Sequence, residues 1–250
     1  MRRLATGLPY NSVVLILALD TSSPTGSLAV LDDRKLLGMV STATGEIYSS
    51  RMFRHLDFLL AELSLTLDRI DLFAVASGPG SFTGLRVGLT AVKGWAEVYG
   101  KPVAAISALE AVAVQAGIGA ETIFPVLDAR RSQVYYGMYR RIAGKSAAEN
   151  SWETIQSEGV ATCAELAEKV SATSGSVSIV TPVLELIRAS LETAGDESRP
   201  RWRVQEISPA LAHSVGQLGH AKFLRGELED ALSLNANYVR RSDAELHFKT

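Results

Sequence analysis

The stretch VVLILALDTSSPTGSLAVLDDRKLLGMVST, Val13–Thr42, holds three short β-rich runs, VVLILALD, GSLAVLDD and KLLGMVST, separated by tight polar turns. Turns this short leave no room for a crossover helix, so consecutive runs must pair antiparallel as a meander. The pattern then changes. A helical apolar stripe covers roughly Tyr48 to Thr66, followed by the strand DLFAVASG, a helix from Ser81 to Tyr99, the strand KPVAAIS and a helix near Ala108 to Gln115. Strands alternating with helices add parallel neighbours, so a mixed sheet flanked by helices is predicted.

A meander followed by strand and helix alternation is the order of one lobe of the actin-like, ribonuclease-H-like (ASKHA) superfamily, an α/β fold. A second, smaller lobe of the same class follows. TIFPVLDAR and QVYYGMYRR read as a hairpin closed by Arg131-Ser132, then come a helix around Cys163 to Val170, the strand SVSIVTP, the helix VLELIRASLETA and the strand RWRVQEIS. The predicted organisation is a flexible lead-in at 1–12, a first lobe at 13–118 and a second at 119–208. A long helix at about 209–228 packs back on the first lobe, and 229–250 forms a polar tail. No internal repeat is visible in the sequence.

Composition excludes several classes. With 250 residues and a formal net charge of -2, the chain has a substantial core but no strongly basic surface of its own. It can still serve a nucleic-acid pathway through a partner. Its single cysteine, Cys163, rules out an internal disulfide and a multi-cysteine metal site. The opening MRR and the apolar run ending at Asp20 read as a buried strand rather than a leader, and no run approaches a membrane span, so a cytoplasmic protein is expected.

Two segments carry candidate chemistry. In SGPGSFTGLRVGLTAVKGW, Ser77–Trp95, a glycine turn opens directly into a helix, where unpaired N–H groups and the helix dipole favour an anion such as phosphate. The other reading is a structural turn, with Ser81 as N-cap. Gly78, Gly80 and Gly84 do not match the dinucleotide fingerprint, and no phosphate-loop motif is present. Asp20, Thr21 and Ser22 end the first strand where actin-like ATPases approach phosphate and hydrated magnesium, but Ser23 and Pro24 follow where a phosphate turn favours glycine. The alternative there is a carboxylate and hydroxyls organising a hairpin turn. The histidines do not assemble a metal site: His55 and His247 stand alone, and His213 and His220 are seven apart.

The helices carry more apolar surface than one sheet needs. Leu85, Leu89, Val92, Ala96 and Tyr99 form one face and Val87, Ala91, Trp95 and Val98 another, while Gly84 and Gly88 permit close helix approach. On the first helix Met52, Leu56, Leu59 and Leu63 repeat at helical spacing, widened by Phe53 and Leu60. Two readings stand: the helices bury each other within one lobe, or Met52, Phe53, Leu56, Leu60, Gly84, Gly88, Ala91 and Trp95 form half of a four-helix interface.

LALDTSSPTGSLAV, SGPGSFTGLRVGL, PVAAISALEAVA, PVLDARRSQVYYGMY and NYVRRSDAE, in this order and spacing, resemble the TsaB family, also called YeaZ. The resemblance spans nearly the whole chain. It implies a non-catalytic subunit that pairs with TsaD, the protein that completes threonylcarbamoylation of adenosine 37 in certain tRNAs. TsaE, an ATPase, is implied as a further partner, a homodimer as the state without TsaD, and tRNA as an indirect one. TsaD-type proteins carry a metal-binding His-x-x-x-His whose positions match Ala108 and Val112 here, so neither a metal nor a catalytic residue is expected. No cofactor is expected to be firmly bound. ATP or ADP with magnesium at or near the partner interface would use Asp20, Thr21, Ser22, Gly78, Gly80 and Ser81. Two alternatives are a free-standing actin-like ATPase or phosphotransferase using Asp20 and the glycine turn, and a glycoprotease-like (M22-type) hydrolase, which lacks ligands and nucleophile.

Overall fold

The structure, a computed structural model, describes residues 13–44, 48–116, 119–142, 152–194 and 202–240. The chain divides into two compact units, the first comprising residues up to Ala108 together with Pro209–Asn237, the second Leu109–Ser208 with the residues from Tyr238 on.

In the first unit, β1 (Leu15–Asp20), β2 (Ser27–Asp32) and β3 (Lys35–Val40) form the expected antiparallel meander, with Leu17 opposite Val30 and Asp20 opposite Ser27. Next come α1 (Tyr48–Glu62) and a 3-10 turn (Leu67–Arg69). Then β4 (Leu72–Gly78), α2 (Phe82–Tyr99) and β5 (Val103–Ser107) follow, giving the sheet order β3-β2-β1-β4-β5, with β4 parallel to both β1 and β5. Strand alternation assigns the two faces. Leu17, Leu19, Leu28, Val30, Phe73 and Val75 share one core with Met52, Leu56 and Leu59 of α1 and Leu85, Leu89 and Val92 of α2. The intervening residues face the other way, where α6 (Ala212–Arg225) brings Gly216 against Leu31 and Ala18 and Gly219 against Ala74. Sandwiched on both sides, β1 and β4 are apolar and buried almost throughout.

The second unit holds most of α3 (Ala108–Ala113), then β6 (Thr122–Arg130), β7 (Gln133–Arg141), β8 (Trp152–Thr162), α4 (Cys163–Ala172), β9 (Val177–Thr181), α5 (Leu184–Ala194) and β10 (Trp202–Glu206). β6, β7 and β8 are an antiparallel meander, and β9 and β10 continue the sheet in parallel, in the order β10-β9-β6-β7-β8. Starting from the first meander strand, both sheets therefore have the same plan: two antiparallel strands on one side and two parallel strands on the other. This is the duplicated ribonuclease-H-like architecture of the actin-like superfamily.

The structure corrects the sequence reading in four places. β8 was not foreseen, and with it the topological repeat. The boundary between the units falls after Ala108, not at 118. The final helix runs Ala212–Arg225 and is ended by Gly226 in the left-handed conformation. The segment after it is not a loose tail: Glu229 and Val103 exchange backbone bonds of 3.0 and 2.8 Å, Leu234 is fully buried in the core, and the Asn237 N–H donates to the Ser77 carbonyl at 2.7 Å. The lead-in at 1–12 and the last ten residues, including His247, lie outside the described residues.

Candidate functional site

β4 delivers the glycine turn to the start of α2. Gly78 has φ +123°, and a Cβ there would sit 2.5 Å from the Asn237 carbonyl oxygen, so both the backbone angle and the space require glycine. A Cβ on Gly80 would meet the Cβ and the carbonyl oxygen of Ser22 at 2.6 Å. Ser81 is the N-cap: its hydroxyl accepts from the Gly84 N–H at 3.3 Å, while its own N–H donates to the Ser22 carbonyl at 2.7 Å. The structure thus brings Gly80 and Ser81 against Ser22, and the Ser81 N–H bonds the Ser22 carbonyl. The Ser81 and Gly84 N–H groups at this helix start are engaged within the chain.

The strand end is arranged likewise. Asp20 is fully buried, and its Oδ1 accepts from the Ser22 N–H at 2.8 Å and the Ser22 hydroxyl at 2.6 Å. Burial raises the Asp20 carboxyl above its ordinary pKa, partly opposed by these bonds. Asp20 Oδ2 and Thr21 Oγ1 are buried with no hydrogen-bond partner. Thr21 instead packs on α2, where a Cβ at Gly84 would lie 2.0 Å from its carbonyl oxygen and one at Gly88 2.3 Å from its Oγ1. The expected interface role of Gly84 and Gly88 is therefore corrected: both are buried, and the close approach they permit is to Thr21 of the same unit. A cavity of about 670 Å³ lies at the far end of α2, bordered by Glu97, Lys101, Glu229 and Asp230, away from this turn.

The flank formed by α1 and α2 divides the remaining interface residues. Met52, Leu56 and Leu60 belong to the core and are not on the surface, which corrects that expectation for all three. Phe53 is 52% exposed and meets the half-buried Trp95 edge-on at 6.4 Å between ring centroids. Trp95 also packs against Phe73 of β4 at 5.8 Å, and Ala91 is half-buried beside the core. Two residues omitted from the expected interface stand out, Phe58 at 57% and Val98 at 75% exposure. Val98 was legible as part of the second apolar face of α2, whereas Phe58 falls outside the stripes that helical spacing picks out.

Ala108 and Val112, one turn apart on α3, are fully buried hydrocarbon side chains with no donor to offer a metal. Among the described residues, no group of three or more His, Cys, Asp or Glu side chains is placed to hold an ion. No described helix is long and apolar enough to cross a membrane. Burial lowers the pKa of His55, His213 and His220, and His220 Nε2 lies 3.4 Å from Asp33.

The family model described as TsaD, tRNA N6-adenosine threonylcarbamoyltransferase, matches residues 32–191. The chain is also 35% identical to the tRNA threonylcarbamoyladenosine biosynthesis protein TsaB of Bacillus subtilis over 125 residues, 50% of this chain and 55% of that protein. It is 35% identical to the protein of the same description from Haemophilus influenzae over 150 residues, 58% of this chain and 63% of that protein. The solved structure of YeaZ from Pseudomonas aeruginosa superposes with a TM-score of 0.70 at 25% identity, covering 90% of this chain and 99% of that one. The chain belongs to this family, on its TsaB/YeaZ branch. The matched segments span little more than half the length of these two TsaB relatives. The TsaB relatives it matches are described as proteins of tRNA threonylcarbamoyladenosine biosynthesis, and the chain shares the fold of YeaZ.

Proposed function

We propose that this chain is a non-catalytic subunit of the tRNA threonylcarbamoyladenosine system that pairs with and supports the catalytic subunit TsaD. The observation that carries the reading is the α1–α2 flank, where Phe53 is half exposed edge-on to Trp95 and where Phe58 of α1 and Val98 of α2 are also exposed. Exposed aromatic side chains anchor protein contacts. Hydrocarbon side chains at Ala108 and Val112 support a supporting role over a metal-dependent one. The packed glycine turn supports a structural use of that segment over a free-standing ATPase. Any ATP or ADP with magnesium belongs on this reading to the assembled complex, with TsaE as a further subunit and a homodimer as the resting form.

The test is co-purification with the TsaD of the same organism. At micromolar concentration the two should elute as one complex in gel filtration, and Phe53→Ser with Val98→Glu should abolish it while circular dichroism and cooperative unfolding persist. Separate elution of the wild-type proteins overturns the reading.

A further inference from the structure

Of the sequence segments singled out above, PVLDARRSQVYYGMY and the part of NYVRRSDAE beyond Asn237 have no assigned role in the glycine turn or the helix flank. The structure brings Arg240 of the second segment against the first. Arg240 Nη1 donates to the Ala129 carbonyl at 3.3 Å, across 111 positions of sequence. Directly beyond Ala129 the β6–β7 hairpin turns through Arg130, Arg131 and Ser132, with φ values of 63°, 55° and 56°. Three consecutive left-handed residues without a glycine are uncommon, and arginine gives such a turn no conformational advantage. A turn built only for geometry is served better by Asn-Gly or Asp-Gly. Here both arginines of the turn are exposed, the Arg130 side chain by 70%.

The surrounding charges sharpen the point. Asp128 accepts from the Arg130 N–H at 2.6 Å and lies 3.3 Å from its guanidinium, so it organises the turn. Glu165 is bound to the N–H and hydroxyl of Thr162 in the capping box of α4, at 2.7 and 3.0 Å. Both carboxylates serve local structure, Asp128 as the ion-pair partner of Arg130, and Arg240 from a distant segment reaches the Ala129 carbonyl beside the turn that carries Arg130 and Arg131. The surface is the tip of a hairpin rather than an enclosed pocket, which fits an extended polyanion better than a small anion.

We infer that Arg130, Arg131 and Arg240 form a phosphate-contact surface for the RNA backbone. This rests on the proposed function, because it makes the chain a direct contributor to holding the tRNA that the complex modifies. Contacts of this type position RNA without reading its sequence and weaken with salt.

The test compares the wild-type chain with the double variant Arg130→Asn, Arg131→Asn, alone and mixed with TsaD, using an unmodified tRNA transcript. Asparagine accepts the left-handed backbone, so the turn is kept while the charge is removed. The expected result is RNA affinity about tenfold weaker and a log–log salt dependence shallower by about two, one for each lost contact. Millimolar ADP or inorganic phosphate should not displace the RNA. Unchanged affinity and slope overturn the inference, as does a wild-type chain that adds nothing to RNA binding by TsaD. Displacement by ADP or phosphate would assign the arginines to a small ligand and overturn the RNA source. Loss of TsaD pairing with RNA binding intact would assign them to a protein contact and overturn it too. If pairing survives in the variant and RNA binding is unaffected, this inference falls alone. If the wild-type proteins never pair, the proposed function falls independently.

Discussion

Thr21 lies so close to Gly88 that a β-carbon on the glycine would come within 2.3 Å of the threonine Oγ1. One helical turn earlier the same residue's carbonyl oxygen would be 2.0 Å from a β-carbon at Gly84. The two glycines let α2 start flush against the end of β1, and the pair predicts a graded response to substitution. Alanine gains about 1 kcal/mol of helix propensity over glycine, against roughly 1–3 kcal/mol for overpacking a tight site. At Gly84 the obstacle is backbone and cannot rotate away; at Gly88 it is a side chain. Gly84→Ala should therefore be the more destabilising in urea titration, and Thr21→Ala should recover much of the loss in Gly88→Ala but not in Gly84→Ala. Equal losses, or no recovery, would contradict this packing.

Asp20 gives a pH prediction with a definite sign. Burial raises its folded-state pKa above the ordinary carboxylate value, so the folded state holds the proton more tightly than the unfolded one. Its contribution to stability is then fully present below the unfolded value of about 3.9 and is lost as pH rises through the folded pKa. Asp20→Asn keeps an oxygen to accept from Ser22 and removes the buried charge. We expect the variant to gain on the wild type in denaturant midpoint as pH rises from 4 towards 8, with the curves converging at the acid end. A constant offset across this range would show that Asp20 titrates normally.

The histidines act in the opposite direction. Desolvation lowers the pKa of His55, His213 and His220, so each favours the fold when neutral. That stability is present above the unfolded value of about 6.5 and is lost as pH falls through the depressed folded values. His220→Gln should lessen the fall in stability between pH 7 and 5 measured by thermal unfolding. A fall as steep as the wild type's would exclude His220 as a contributor.

Met52 and Phe53 are neighbours on α1 with opposite surroundings, one in the core and the other half exposed. Met52→Ala should cost the isolated chain about 2–5 kcal/mol, the usual range for emptying a fully buried site of this size. Phe53→Ala should cost the chain far less and act on association. Chemical denaturation paired with gel filtration separates the two effects, and a reversed order would place the exposed flank elsewhere.

How much of this was legible depended on what each residue's signal encoded. The N-terminal meander, β4 and α2 were readable because their apolar runs are continuous and their turns short, and Ser81 announced the helix start by its chemistry. β8 was not readable: WETIQSEGVAT is an edge strand with few buried positions, so it has no alternation to detect. Missing it hid the shared plan of the two sheets. The small residues at 84 and 88 were visible as a close-approach motif, but the partner was not, because the sequence does not state that Thr21 arrives from β1. Helical spacing likewise grouped Met52, Leu56 and Leu60 with Phe53, and only the sheet's position decided which side turned inward.

The strap from Gly226 to Asn237 has a consequence for synthesis. The first unit is completed by α6, by Leu234 in its core, and by the Asn237 bond to Ser77. All of these leave the ribosome after the whole of β6 to β10. A nascent chain thus carries an open N-terminal sheet, one face uncovered, through the emergence of more than a hundred residues. Almost all of the second unit is by then available to fold, so the later-made unit has the head start, and the first sheet must be kept from wrong partners until α6 and the strap have emerged.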